Sequence, residues 1–278
     1  MSAAGGGPAG GGPLAGRRVL LPRNKDALAA GLRAAGAEVE AVEVTRARPG
    51  PAGPRARAAA DLTAGAYAWL IVSSPRALDH VDLTGLPATT GLAVVGEATA
   101  RRVTRALGRR ADLVGAGSSA ALIDLEPLSA GPAPGATGAA RRILLPGSAL
   151  RGTTLIDGLT AAGWAVDEVP VYTMEPVALS DLPGGFVGRW STGAFDAVVL
   201  TAGSSSRALA GLAGTPPSST RVAALGRPTA AAAGEAGFVV DVVASSPTPP
   251  GVRAAVVDAL SSRPRRTPFS AREDEPHE

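Results

Sequence analysis

The side chains best suited to chemistry in this chain follow short apolar runs, and most of them are hydroxyl residues, arginines and glycines. Hydroxyl and guanidinium groups donate hydrogen bonds to carboxylates, and the planar guanidinium pairs with them especially well. Few strong acids or bases share these positions. The set therefore favours a site for an anionic small molecule; it comprises Arg23, Ser73, Ser74, Arg76, Tyr172, Thr173 and the segments 96–99, 201–205 and 226–229.

Two of these segments carry the same pattern, Gly-x-x-Thr-Ala, at 96–100 and 226–230. Each follows an apolar run and opens a helix-like stretch, where glycine permits a tight turn. Backbone N–H groups and the helix dipole favour an anion at such a helix start, and Thr99 and Thr229 would add hydroxyl donors. Ordinary helix initiation explains either copy alone. The matching positions of the two copies favour a shared ligand role, although duplication alone would also preserve them.

Arg76, His80 and Tyr172 each have a functional and a structural interpretation. Arg76 follows a strand, where it would bind a carboxylate or lie on the surface over a helical turn. Tyr172 closes another strand, where its phenol would donate a proton or hydrogen bond to a ligand, or pack as an ordinary core side chain. A lone histidine four residues after Arg76 is expected to be structural or solvated.

A nucleotide site is not predicted. The segment 115–120 reads GAGSSA, but it follows the last strand of the first half rather than the first strand of a βαβ unit. No Gly-Lys-Ser/Thr phosphate loop occurs, and the only lysine, Lys25, is expected to be a solvated residue at a helix start.

Composition excludes several further classes of function. Cysteine is absent and the only histidines are His80 and His277, so thiol chemistry, zinc sites and histidine-based triads are not expected, and no metal or cofactor is predicted. The net charge is +3 without a basic run that contains aromatics, so nucleic-acid binding is not expected. No apolar run reaches about 18 residues, so no membrane span is predicted. The start of the chain does not resemble a signal peptide, and a cytoplasmic protein is expected.

The apolar runs alternate with helical stretches, and the order of motifs occurs twice. Residues 19–49 and 143–176 are similar, and AVVGEATA at 93–100 is echoed by AALGRPTA at 223–230. Such a repeat predicts two similar α/β lobes with parallel sheets covered by helices, whose ligands bind beyond the carboxyl ends of the strands. Residues 1–16 and 263–278 are expected to be disordered, and 129–140 to be a linker or a long surface loop.

An ordered series of motifs over residues 17–262 resembles the uroporphyrinogen-III synthase family. The motifs are PRN at 22–24, WLIVSSPRAL at 69–78, AVVGEATA, ILLPGSALRG at 143–152, VPVYTMEP at 169–176, VVLTAGSSSRAL at 198–209, AALGRPTAAAA and ASSPTPPGV. The resemblance implies two flavodoxin-like lobes, 17–44 with 173–262 and 45–172, joined by a hinge of two antiparallel segments around Thr45 and Thr173. In this arrangement 129–140 is an internal loop.

The resemblance also implies an activity. Family members cyclise hydroxymethylbilane, a linear tetrapyrrole, to uroporphyrinogen III with inversion of ring D and loss of water, in haem and cobalamin biosynthesis. They need no cofactor, and a cytoplasmic monomer is expected. The alternative is a non-catalytic tetrapyrrole-binding or regulatory module on the same scaffold.

The resemblance carries roles onto particular residues. Tyr172 matches the tyrosine of the family's VY motif and is expected to assist departure of the substrate hydroxyl. The expected substrate-binding residues are Arg23, Ser73, Ser74, Arg76, Thr99, Arg151, Thr201, Ser204 and Thr229. Two motifs depart from the family pattern. Residues 201–206 read TAGSSS, so the alignment that assigns the functional serine to Ser204 can shift by one position. Residues 146–152 read PGSALRG, in which Arg151 is taken as the basic residue of the motif.

Overall fold

The computed structural model describes residues 12–23, 27–150 and 152–262, and this part of the chain alternates strands with helices. Its strands are β1 (Arg18–Leu21), β2 (Glu38–Ala41), β3 (Thr45–Pro49), β4 (Trp69–Val72), β5 (Gly91–Val94), β6 (Leu113–Val114), β7 (Arg142–Ser148), β8 (Ala165–Pro176), β9 (Ala197–Leu200), β10 (Arg221–Ala224) and β11 (Val242–Val243). Its α-helices are α1 (Ala27–Ala34), α2 (Ala52–Thr63), α3 (Glu97–Leu107), α4 (Ser119–Ile123), α5 (Thr154–Ala161), α6 (Phe186–Ser191), α7 (Gly203–Ala213), α8 (Arg227–Glu235) and α9 (Pro249–Ser261).

Contacts divide the chain into two units. The first comprises Met1–Arg46 with Glu175–Glu278, and the second comprises Ala47–Met174. The first unit is therefore built from both ends of the chain, whereas the second is continuous in sequence.

The sheet of the first unit has the strand order β11-β10-β9-β1-β2, and the paired strands run parallel. Successive residues of β1 are buried in different cores. Leu20 lies in a cluster with Trp190, whereas Val19 and Leu21 lie in a second cluster with Leu32. Both faces of the sheet are covered by helices, which is why its strands read as continuous apolar runs.

The sheet of the second unit has the order β3-β8-β7-β4-β5-β6, and β4, β5, β6, β7 and β8 pair in parallel. Here too the residues of one strand alternate between two cores. Leu70 and Val72 of β4 pack with Tyr172, and Ile71 packs with Trp164 in the other cluster. Parallel pairing puts the carboxyl ends of these strands at one edge of the sheet.

Two antiparallel segments carry the chain from one unit to the other. Val177 N–H donates to the carbonyl of Val44 at 3.1 Å, and Gly50 N–H donates to the carbonyl of Val171 at 2.8 Å. Because the residue number of one partner rises while that of the other falls, β3 and the end of β8 run in opposite directions.

The start of the described chain differs from the sequence-based expectation. Residues 12–16, expected to be disordered, form a turn in which Leu14 is only 1% exposed. Its N–H donates to the carbonyl of Ala35 at 2.9 Å, and its side chain packs in the same cluster as Leu32. Burial of this leucine and the backbone hydrogen bond both help to stabilise the turn. The remainder of the expected tails, 1–11 and 263–278, lies outside the described residues.

The segment 129–140 lies inside the second unit, so it is not the connection between the two units. It is held near the carboxyl end of α5. The indole N–H of Trp164 donates to the carbonyl of Leu128 at 2.9 Å, and Gly131 packs directly against the carbonyl of Ala162. A Cβ atom added at Gly131 would lie only 2.1 Å from that oxygen.

Gly131→Ala is expected to destabilise the second unit more than Gly135→Ala does. Both glycines have left-handed backbones, with φ of +75° and +78°, so each alanine would cost about 1–2 kcal/mol in backbone strain. A Cβ at Gly135 meets no atom within 4 Å, so only the Gly131 variant adds a backbone clash and should lose about 1 kcal/mol or more beyond its control. Urea titration followed by tryptophan fluorescence would measure both losses, and equal losses would contradict the packing described for Gly131.

Candidate functional site

The carboxyl edge of the second unit's sheet gathers five of the expected site residues. Ser73, Ser74 and Arg76 follow β4, Thr99 follows β5, and Tyr172 lies in β8 beside Ser148 of β7. Since these strands are parallel, the hydroxyls, the guanidinium and the phenol all belong to the edge where ligands of such sheets bind.

Tyr172 is buried, with 4% of its surface exposed, and two further side chains, besides the apolar core, contact its phenol. Its hydroxyl donates to Ser74 Oγ at 3.4 Å, a distance longer than the usual range for a bond between hydroxyls. Its ring lies against the imidazole of His80, with 5.3 Å between the ring centroids and an angle of 31° between the planes. The phenol is thus close to a hydroxyl residue of the site without a short hydrogen bond.

Arg76 lies in a short 3₁₀ helix, Pro75–Asp79, that begins shortly after β4, and Ser74 precedes it. Ser74 caps this helix, because its Oγ accepts from the backbone N–H of Arg76 at 3.3 Å. The Arg76 side chain is exposed, and its Nη1 donates to Met174 Sδ at 3.5 Å. A thioether is a weak acceptor, so this contact uses little of the donor capacity of the guanidinium.

His80 ends the same 3₁₀ helix, and sequence reasoning missed its contact with Tyr172. Burial lowers the pKa of the His80 imidazole, and the positive charges of Arg55 and Arg76 lower it further, against an opposing effect of Asp79. These effects together favour the uncharged imidazole. Nothing in the local sequence indicates this contact, because the two residues lie on segments far apart in the chain.

The first Gly-x-x-Thr-Ala segment opens α3 as expected, but its glycine has a different physical role. Gly96 has φ −171° and ψ 170°, an extended conformation that any residue adopts. Glycine avoids a tight contact instead, because a Cβ there would lie 3.2 Å from Gly117 Cα, closer than such atoms usually pack. Thr99 is buried, and its backbone N–H donates to the carbonyl of Gly96 at 3.0 Å. Thr99 therefore lies in the first turn of α3.

The second copy, in the first unit, has nearly the same backbone. Gly226 precedes α8 with φ −172° and ψ 170°, and Thr229 is buried to a similar extent as its counterpart. A Cβ at Gly226 would approach no atom closer than Pro228 Cδ at 3.9 Å, so neither φ nor close packing requires glycine here. The backbone geometry of the repeat is thus reproduced in both units.

The other expected residues of the first unit also follow parallel strands. Arg23 follows β1, and Thr201 follows β9 at the start of α7. The three serines of 204–206 differ in how they are used. Ser205 and Ser206 are buried and donate to the carbonyl of Ala202 at 2.9 and 3.1 Å, whereas Ser204 is partly exposed. Ser204 is therefore the most accessible of the three serines, and its role in binding stays a prediction.

The expected site residues divide between the two units. Ser73, Ser74, Arg76, Thr99 and Tyr172 belong to the second unit, and Arg23, Thr201, Ser204 and Thr229 belong to the first. The remaining one, Arg151, lies outside the described residues. Within the described ranges, no group of three or more His, Asp or Glu side chains could hold a metal ion. No helix of the described chain is long and apolar enough to cross a membrane.

Comparison with known proteins gives the family. The family model described as uroporphyrinogen-III synthase HemD matches residues 26–253, which is most of the chain. A search of curated protein sequences finds no significant match.

Two solved structures share the fold. A mutant uroporphyrinogen III synthase from the extremely thermophilic bacterium Thermus thermophilus is 20% identical, with a TM-score of 0.56 over 88% of this chain and 98% of that one. The uroporphyrinogen-III synthetase of Helicobacter pylori is 14% identical, with a TM-score of 0.54 over 85% of this chain and 96% of that one. The predicted α/β fold of two lobes with helix-flanked parallel sheets is confirmed. The chain belongs to the uroporphyrinogen-III synthase family.

Proposed function

We propose that this chain is a cyclising lyase that converts hydroxymethylbilane into uroporphyrinogen III, with inversion of ring D and loss of water. The family match over residues 26–253 carries this proposal, and it places the protein in tetrapyrrole biosynthesis. The chemistry of the expected site residues agrees with it, because phenol, hydroxyl and guanidinium groups suit a substrate with eight carboxylates.

The enzyme needs to control the conformation of its substrate more than to activate it chemically. Loss of the terminal hydroxyl leaves an electrophilic azafulvene, and the bilane closes to the uninverted isomer without the enzyme. The protein must therefore hold the chain so that ring D attacks through its substituted carbon to give a spiro intermediate. Such a task requires many weak, directed contacts rather than a strong nucleophile.

Tyr172 is the proposed proton donor to the departing hydroxyl. Its Oη–H would protonate the leaving oxygen, so that water departs and the phenolate later recovers a proton as the macrocycle loses one. Two features support this role. The hydroxyl lies at the ligand-binding edge of the sheet, and its 3.4 Å contact with Ser74 leaves it able to turn toward a substrate.

Anion binding is the proposed role of the remaining site residues. Arg76 is exposed and engages a thioether rather than a carboxylate, so its guanidinium can pair with a substrate side chain. The starts of α3 and α8 offer backbone N–H groups and the favourable end of the helix dipole near Thr99 and Thr229. We assign Arg23, Arg151, Ser73, Thr201 and Ser204 to the same task.

The decisive experiment determines the isomer of the product. Purified protein supplied with freshly made hydroxymethylbilane is expected to yield uroporphyrinogen III, resolved from isomer I by chromatography after oxidation. A reaction without protein is the control, since it gives isomer I. Tetrapyrrole binding with only isomer I formed would instead support the non-catalytic module. The expectation of a cytoplasmic monomer, supported by the family resemblance and by the absence of cysteine, can be checked by light scattering and cell fractionation.

A further inference from the structure

The hydroxyl of Tyr172 is poorly fixed by its own hydrogen bond. An O–H···O distance of 3.4 Å to Ser74 exceeds the usual range, and Ser74 Oγ already accepts from the backbone N–H of Arg76. A proton donor must nevertheless lie within a fraction of an ångström of its productive position. The direction of the phenol must therefore be set mainly by contacts to its ring and its backbone.

His80 provides the contact to the ring. The two ring centroids are 5.3 Å apart at an angle of 31°, within the range of favourable aromatic pairs. His80 is itself held at its backbone, because its N–H donates to the carbonyl of Ala77 at 3.1 Å and its carbonyl accepts from Arg55 Nη1 at 2.8 Å. The backbone that carries the imidazole is thus held on both sides, and the imidazole provides the ring surface against which the phenol lies.

Arg55 connects this surface to the strand that carries Tyr172. From α2, its Nε donates to the carbonyl of Gly50 at 3.0 Å while its Nη1 binds the carbonyl of His80. Gly50 N–H in turn donates to the carbonyl of Val171, the residue before the tyrosine, at 2.8 Å. The guanidinium of Arg55 therefore connects the end of the 3₁₀ helix to Gly50, which is hydrogen-bonded to β8 at Val171.

Gly50 also shows that this junction is closely packed. A Cβ atom added there would lie 2.1 Å from the carbonyl oxygen of Pro170, so the backbone of β3 approaches β8 as closely as a glycine allows. Strand β8 is therefore held immediately before Tyr172. Because Arg55 binds both Gly50 and His80, a change at Arg55 would affect both the strand that carries the phenol and the imidazole that contacts it.

We propose that His80 and Arg55 are positioning residues that hold the Tyr172 phenol in its productive direction, His80 by ring contact and Arg55 by clamping the two backbone segments. This inference rests on the proposed role of Tyr172 and extends it to two residues without contact to the reacting atoms.

Fluorine NMR tests the placement without any assay of activity. Because the chain has only two tyrosines, protein labelled with 3-fluorotyrosine gives two signals, which Tyr172→Phe assigns. His80→Ala and Arg55→Ala are expected to shift or broaden the Tyr172 signal and leave that of Tyr67 unchanged. The matched control is Arg57→Ala, an exposed arginine on the same helix, which should leave the Tyr172 signal unchanged. An unchanged Tyr172 signal in both test variants would overturn the proposal.

Kinetics then test the consequence for turnover. His80→Ala is expected to lower kcat about three- to tenfold, with KM changed less than about twofold, because ring contacts of this kind carry that range of free energy. His80→Phe keeps an aromatic surface and should recover most of the lost kcat. Equal losses in His80→Ala and His80→Phe would refute positioning by ring contact. If the wild-type protein makes no isomer III, the proposed function fails, while the fluorine signals still decide the placement.

Discussion

Tyr172→Phe is expected to lower kcat by about 100-fold or more, because it removes a proton donor whose contribution is typically of that size. The change deletes one hydroxyl with a long hydrogen bond and leaves the buried ring and its contact with His80 in place. The free energy of unfolding should therefore change by no more than about 1 kcal/mol. Initial rates of isomer III formation and urea titration would measure the two quantities on the same preparation.

Tyr67→Phe is the matched control for this experiment. Tyr67 is as buried as Tyr172, but it precedes β4 at the amino edge of the sheet, where its hydroxyl accepts from Arg142 at 3.5 Å. Burial, together with the charge of Asp167, raises the pKa of Tyr67 to about 12, so this phenol stays protonated throughout any practical assay. Its loss should leave kcat within about twofold. A Tyr172 variant as active as this control would remove Tyr172 from the mechanism.

Trp190→Ala is expected to destabilise the first unit by about 3–5 kcal/mol, the range for truncation of a large core aromatic residue. Trp190 is fully buried, its ring lies 6.3 Å from that of Phe195, and its indole N–H donates to the carbonyl of Gly214 at 2.9 Å. The truncation leaves a cavity and an unsatisfied carbonyl together. Circular dichroism during urea titration would measure the loss.

Val187→Ala is the control on the same helix. Val187 is 40% exposed, so its truncation should change the free energy of unfolding by no more than about 0.5 kcal/mol. A Trp190 variant as stable as this control would contradict the core assigned to the first unit.

The individual strands could be predicted from sequence because their cause is local. The continuous apolar runs of β1, β4, β5, β9 and β10 follow from burial on both faces, and the structure has strands at each. Strand pairing is not local. Val19 pairs with Ala197, and no periodicity in either segment indicates that partner.

The candidate site likewise combines features that the sequence predicts with contacts that it does not. The carboxyl ends of strands could be named from sequence, since ligand position in parallel sheets follows from topology. The contact between His80 and Tyr172 could not, because it depends on how a 3₁₀ helix and a long strand meet. The reason for Gly96 was also wrong in detail. Its dihedrals suit any residue, and a Cβ atom there would instead make a tight contact with Gly117, which is distant in the sequence.

The position of β1 constrains the order in which this chain can fold during synthesis. β1 emerges first, yet it lies between β2 and β9 in the finished sheet, and β9 begins only at Ala197. The continuous unit Ala47–Met174 has all its strand partners synthesised before β9 is made. During synthesis this unit can complete its sheet first, while the edge of β1 that pairs with β9 is still unpaired. The strand that comes first in the described chain thus belongs to the unit that is completed last.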